Sequence, residues 1–359
     1  MSRHGLLTLL TMTLLLGALS WRTIAHPAQA EPCIGRIAIF AVSPDGTLLA
    51  AYTPDVRMIQ VFELDQGTKI DEIRATKEIV SAISFSADKK LIAWGESDDG
   101  LIGGSMLNGT LLVYERKSHS IVASLANIAD LIDQIKISTG TDTVTLRGSY
   151  PGSDRYDIQV WDIANQSRIS IRESWWVAPA YTGDPETIFF GTIDYPELAL
   201  LIKWDGLTAD ERQIVGTHAK ITAMTLSEDR AILVSADDAG NLILWNTSDL
   251  TQMSSAPIDI PSAIDLAFID ENTLVVTGNF EYKDGFVTAP VSVWRITPEP
   301  DRLAHLSLPL TQVISPLTQF VTVVADQTIY LLTGSDDSTQ IMVWDYAADT
   351  LTPVDFSCD

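Results

Sequence analysis

Three histidines remain beyond residue 30, His119, His218 and His305, and they stand far apart along the chain. A hydrolytic triad needs a histidine beside a nucleophile and an orienting carboxylate, and a zinc site needs several ligands at short spacing. Neither pattern occurs. Carboxylates do come in pairs, Asp98-Asp99, Asp237-Asp238 and Asp336-Asp337, as acid–base chemistry would require. Each pair lies among turn-forming residues, where Asp is favoured for backbone reasons. Asp130, Asp133 and Asp265 are scattered and do not gather into a cluster on several inner strands. No glycine-rich phosphate loop, nucleophile elbow or zinc-protease helix appears. The residues therefore predict no enzyme, no cofactor and no metal.

The only cysteines are Cys33 and Cys358. With no C-x-x-C spacing and no adjacent histidine they make a poor metal or redox motif, but in an oxidising compartment they could pair. The N-terminus predicts such a compartment. Arg3 and His4 precede a fourteen-residue apolar run, Leu6 to Leu19, and Ala28-Gln29-Ala30 supplies a small-x-small cleavage site. This reads as a signal peptide over 1–30 and a mature chain over 31–359, exported to a periplasmic or extracellular space, with a retained anchor as the alternative. No later segment approaches the length of a membrane span. The formal charge of −24 becomes −26 once Arg3 and Arg22 are removed. That balance excludes nucleic acid, which needs clustered Lys and Arg to displace counterions.

The elements that would position a site are legible as a repeat. An aromatic flanked by apolar residues recurs seven times, at Phe62, Tyr114, Trp161, Trp204, Trp245, Trp294 and Trp344, spaced by 52, 47, 43, 41, 49 and 50 residues. Upstream of each lies an acidic turn: Pro44-Asp45-Gly46, Asp88-Lys89, Gly140-Thr141-Asp142, Gly183-Asp184, Glu228-Asp229, Asp270-Glu271 and Asp326-Gln327. Such turns suit tight hairpins, and β-rich runs follow them. Each unit thus predicts four antiparallel strands and no helix. A lone four-stranded sheet that is apolar on both faces cannot be stable, but radial packing in a ring buries both faces. The fold expected is all-β, a seven-bladed β-propeller, monomeric by itself.

The unit from Gly216 to Asn246 resembles a WD40 repeat. Gly216-Thr217-His218 opens it, Ser227-Glu228-Asp229 forms the turn, Ser235 lies on the second strand and Trp245 on the third. The resemblance implies a structural ladder of His218, Ser235, Trp245 and an acidic member, Asp238, which stands one position earlier than the family's pattern. It also implies a ring closed between the chain ends and a face of loops used for partners. Here the chain begins with an innermost strand within 34–42 and ends with an outermost one within 351–356, so Cys33 and Cys358 are expected to clasp the ring. In the chain-entropy account such a long loop is worth about 5 to 6 kcal/mol.

Two units are long between their second and third strands, at Gly95 to Asn108 and at Asn279 to Ala289. The second insertion carries Phe280, Tyr282 and Phe286, which with Tyr150, Tyr156 and Tyr195 are the candidate anchors for an unidentified protein partner. The function expected is a non-enzymatic, extracytoplasmic interaction scaffold. A small ligand or glycan in the central funnel is the alternative, and a propeller hydrolase or lyase a more distant one.

Overall fold

A computed structural model describes residues 35–98, 108–138, 142–150, 155–175, 180–194, 198–217, 219–258, 260, 263–279, 281–283, 286–296, 300–310, 321–324, 328–335 and 338–356. The leader 1–30, Cys33, Cys358, Tyr195, His218 and Phe280 lie outside them. Among the described residues every regular element is a strand, and these form seven blades of four antiparallel strands. Blade 1 is β1 (Ile39–Val42), β2 (Leu48–Thr53), β3 (Met58–Glu63) and β4 (Thr68–Arg74); blade 2 is β5 (Ile79–Phe85), β6 (Leu91–Ser97), β7 (Gly109–Glu115) and β8 (Ser120–Ala129). Blade 3 is β9 (Leu131–Ile137), β10 (Thr143–Tyr150), β11 (Arg155–Asp162) and β12 (Ser167–Trp175); blade 4 is β13 (Ala180–Asp184), β14 (Thr187–Asp194), β15 (Leu198–Asp205) and β16 (Asp210–Gly216). Blade 5 is β17 (Ile221–Leu226), β18 (Ile232–Asp237), β19 (Asn241–Asn246) and β20 (Gln252–Pro257). Blade 6 is β21 (Ala263–Asp270), β22 (Thr273–Gly278), β24 (Phe286–Arg295) and β25 (Asp301–Leu310), with a short extra strand, β23 (Glu281–Lys283). Blade 7 is β26 (Val321–Val324), β27 (Thr328–Ser335), β28 (Ser338–Asp345) and β29 (Thr350–Pro353).

The first strands touch in succession around the centre, β1 with β5, β5 with β9, β13 with β17, β17 with β21, β21 with β26, and β26 back to β1. Burial falls from the inside outwards. Every residue of β1, β2 and β22 is buried, whereas β20 and β29 are largely exposed. This is why the inner strands read as unbroken apolar runs and the outer ones as mixed sequence.

There is no single core. Seven apolar clusters are described, and each spans two neighbouring blades. The repeated aromatic always packs toward the preceding blade: Tyr114 joins residues of blade 1, Trp161 of blade 2, Trp204 of blade 3, and Phe62 those of blade 7. The sequence repeat is therefore one seam per unit. The acidic turns have a local cause as well. Ser43, Ser86 and Ser227 donate through Oγ to Asp45, Asp88 and Asp229 at 2.7, 2.8 and 2.6 Å, and the next residue in each turn, Gly46, Lys89 or Arg230, has positive φ.

Beside the aromatic, the outer strand carries one extra residue in blades 1 to 6, where the register slips between Val61 and Phe62, Val113 and Tyr114, Val160 and Trp161, Lys203 and Trp204, Leu244 and Trp245, and Val293 and Trp294. The extra residues are Ile70, Val122, Ile169, Arg212, Met253 and Leu303. Such bulges kink an edge strand and interrupt its ladder. Blade 7 has none, Trp344 facing Leu351 and Val343 facing Thr352 in unbroken order.

Two sequence readings need adjustment. Gly95 belongs to β6 rather than to an insertion, since it pairs with Leu111 of β7, and it is glycine where a Cβ would come 2.7 Å from Ile132 of the next blade. The segment Asn279 to Ala289 is not a loop but mostly strand, described next.

Candidate interaction face

Because all strands within a blade are antiparallel, the turns between second and third strands and the links between blades share one face of the ring. On that face blade 1 turns over Pro54 to Arg57 and blade 5 over Asp238 to Gly240. Blade 6 does not turn at this level. Beyond the pair Thr277 and Val291 its third strand continues back to Phe286, flanked by β23 (Glu281 with Thr288, Tyr282 with Val287, Lys283 with Phe286) and by β25 (Val287 with Leu310). Five extra residues of strand amount to roughly 15 Å of projection. At its foot Gly278 faces Pro290, and a Cβ on Gly278 would come 2.5 Å from the proline ring. Leu310 then bridges in parallel to Gly334, tying the projection to blade 7. Tyr282 and Phe286, two of the expected anchors, lie on this hairpin in successive cross-strand pairs, opposite Val287 and Lys283, and so on alternate faces of it.

Tyr150 and Tyr156 sit on the same face at the ends of β10 and β11, each half-buried. The Tyr150 hydroxyl lies 2.8 Å from Asp157 Oδ2 and 3.0 Å from the Ile128 carbonyl, and the Arg155 guanidinium stands 4.5 Å over its ring. Arg155 also reaches Glu173 at 2.8 Å and Asp157 at 3.4 Å. Gln159 donates to Asp157 at 2.9 Å and to Ile128 O at 2.7 Å, and accepts from Trp161 Nε1 at 2.8 Å. Asp157 is fully buried, and that burial pushes its carboxyl up, against the bonds from Gln159 and Tyr150 and the charge of Arg155. Burial pushes the Tyr150 hydroxyl up too, with Asp157 acting in the same direction. Tyr150 is thus held in a polar network of blade 3. Arg155, Asp157 and Gln159 carry no motif that marks them in the sequence. Their signal was the alternation in β11, which sets three polar side chains on one side of a middle strand.

Other blades fill the equivalent space differently. In blade 5 Trp245 Nε1 donates to Ser235 at 2.8 Å, and Asp238 accepts from the Lys220 backbone at 3.1 Å. In blade 6 Trp294 donates to Ser292 at 2.8 Å, and in blade 2 Trp94 donates to buried Glu96 at 3.1 Å, which also accepts from Thr76. Trp344 Nε1 of blade 7 is buried with no partner among the described residues.

The centre of the ring is more polar than its apolar first strand predicts. Arg147 pairs with Asp133 at 2.6 Å. Asp265 is pushed up to about 6 by burial, opposed by the Leu266 backbone N–H and by Arg147. A cavity of about 230 Å³ opens between the first strands of blades 1 to 3, with Ser81, Ser84, Asp133 and Gln134 among apolar walls. Among the described residues no three His, Cys, Asp or Glu side chains gather as metal ligands, and no helix is long and apolar enough to cross a membrane.

No protein-family profile and no curated protein matches this chain. Solved structures do. The structure of U3-55K is 15% identical, with a TM-score of 0.58 over 84% of this chain and 89% of that one. The crystal structure of the RRP9 WD40 repeats is also 15% identical, with a TM-score of 0.59 over 84% of this chain and 88% of that one. At that identity the likeness speaks for architecture alone, and the architecture is that of a WD40-type, seven-bladed β-propeller.

Proposed function

We propose that this chain is a non-enzymatic scaffold acting outside the cytoplasm, which holds a protein partner on the face that carries the blade 6 hairpin. WD40-type propellers commonly serve as protein-interaction scaffolds, and the strongly acidic surface favours a partner with basic character. The observation that carries the reading is the projection of β23 and the first half of β24 beyond the level at which blades 1 and 5 turn. β24 is paired on both sides, to β23 and to β25, so its backbone needs little ordering on binding.

The test uses a photo-crosslinker placed in turn at Tyr282, at Tyr156 and, on the opposite face, at Ser248, in the protein exported to its native compartment. Adducts from Tyr282 and Tyr156, lost when residues 279–288 are replaced by a two-residue turn, are expected. Adducts from Ser248 alone, or capture undiminished by the shortened hairpin, would sink the assignment. The cavity between the first strands of blades 1 to 3, at about 230 Å³, is smaller than the roughly 300 Å³ at which small-molecule pockets begin and does not favour a ligand there.

A further inference from the structure

We infer that Asp157 is a proton switch set into the interaction face: when its carboxyl takes up a proton, Arg155 loses its hold on the buried end of blade 3 and the face gains one positive charge. The inference rests on the reading of this face as the one that holds a partner. The carboxyl lies in a place built for it. Across β10 it faces Gly148, where a Cβ would come 2.6 Å from Asp157 Oδ1 and 2.8 Å from Ala129 Cβ. Asp157 itself is 0% exposed. On its other flank the residue directly opposite is Glu173, a second acid on the same side of the sheet, an arrangement in which like charges repel. Arg155 is shared between the two. Its Nη2 lies 2.8 Å from Glu173 and 3.4 Å from Asp157, and its Nε is buried with no partner among the described residues. The guanidinium thus leans toward the exposed carboxylate and leaves the buried one under-compensated. Asp130, in the link between β8 and β9, also feels Arg155 and adds to the negative charge around Tyr150. The titratable groups around the pocket among the described residues are therefore Tyr150 from β10, Arg155 from β11, Glu173 from β12 and Asp130 from the link, which with Asp157 makes three carboxyls to one base.

The pocket satisfies the neutral acid as well as the anion. The Tyr150 hydroxyl has one proton and two acceptors in reach among the described residues, Asp157 Oδ2 at 2.8 Å and the Ile128 carbonyl at 3.0 Å. While Asp157 is ionised, Tyr150 donates to it, and Gln159 serves Asp157 Oδ1 at 2.9 Å and Ile128 O at 2.7 Å. Once Oδ2 carries a proton it donates to the Tyr150 oxygen, and Tyr150 turns its own proton to Ile128 O. No heavy atom has to move and no buried group is stranded. Burial and the Glu173 charge push the carboxyl up from its ordinary 3.8, against Gln159, Tyr150 and Arg155. The folded protein therefore takes up this proton at a higher pH than the unfolded chain does. Protonation cancels the charge that draws Arg155 inward, leaving it to half-exposed Glu173 and to the Tyr150 ring at 4.5 Å. A partner of basic character then meets one more positive charge and is released as the pH falls.

The test uses the full chain, isotopically labelled at the Asp carboxyl carbons and at Arg Nε and titrated by NMR from neutral to acid pH. The carboxyl signal missing from Asp157→Asn is that of Asp157. It is expected to titrate with a midpoint above 3.8, in one step with the Arg155 Nε signal. Glu173→Gln, which takes away the like charge, should lower that midpoint, and Arg155→Met should raise it. Should Arg155→Met fail to fold, Glu173→Gln, at an exposed site, still gives the comparison. A photo-crosslinker at Tyr156 then reads the face. Adduct yield should fall about threefold between neutral pH and a pH below the midpoint, and Asp157→Asn should hold it at the low value at both. A carboxyl titrating at or below 3.8, an Arg155 signal unmoved by that step, or a yield that falls with pH in Asp157→Asn just as in the parent would overturn the inference. Absence of any adduct at neutral pH would instead overturn the reading of the face, while the NMR titration, made without a partner, still decides whether the switch exists.

Discussion

Trp245 and Trp344 hold the same place in their blades, yet among the described residues only the first has an acceptor for its indole N–H. Trp245→Phe and Trp344→Phe vacate the same ring volume at a buried seam, but only the first also loses a hydrogen bond and strands the Ser235 hydroxyl, so it should cost about 1 kcal/mol more than the second; urea titration of the two variants checks the contrast. Asp265 gives a pH signature. Its folded value of about 6 lies above the ordinary 3.8, so the fold binds this proton more tightly than the unfolded chain does. Its stabilising contribution is complete below pH about 4 and is lost as the pH rises through about 6. Asp265→Asn should flatten stability over that window and raise it by roughly 1–3 kcal/mol at pH 7, read from unfolding midpoints across a pH series. Individual polar roles were the least legible part of the sequence. The indoles of Trp245, Trp294 and Trp161 bond Ser235, Ser292 and Gln159 in turn, while in blade 2 Glu96 accepts from Trp94 of the second strand. A motif written in residue types could match one blade only. Tyr150 illustrates the same limit, since nothing in its sequence neighbourhood announces that Asp157 and Arg155 hold it.

At the scale of strands, the bulges explain why exposed aliphatic side chains on so many outer edges are tolerated. Ile70, Val122, Ile169, Met253 and Leu303 are 36 to 56% exposed, and each sits where the ladder is broken. Replacing all five by Lys should leave the thermal midpoint nearly unchanged, within about 0.5 kcal/mol per site for exposed positions. A large loss would mean that these side chains pack against something in the fold. Strand number and turn positions were readable in advance because each has a short-range cause. The aromatic fills a seam, and the Asp of the turn bonds its preceding Ser. The blade 6 hairpin was read as a loop because its cause is not local. It is strand because β25 runs alongside it and Gly278 makes room for Pro290, and neither pairing leaves a mark in residues 279–289 taken alone.

Taken whole, the molecule is stabilised seam by seam, so damage at one seam should be felt throughout the ring. Phe356 makes the point, being half-buried against Phe62 across the seam without a peptide link. Phe356→Ala is expected to cost about 1–2 kcal/mol. The loss should appear as a lower midpoint of a single unfolding transition by calorimetry, and a separate early transition would instead mean that the blades unfold independently. The kinked rims also bear on how copies meet in a crowded compartment. Two rims drawn together by their greasy side chains find backbone groups that cannot fall into step, so contact does not ripen into a shared sheet. Only the seventh rim runs straight, and there Pro353 withholds an N–H that a visiting strand would need.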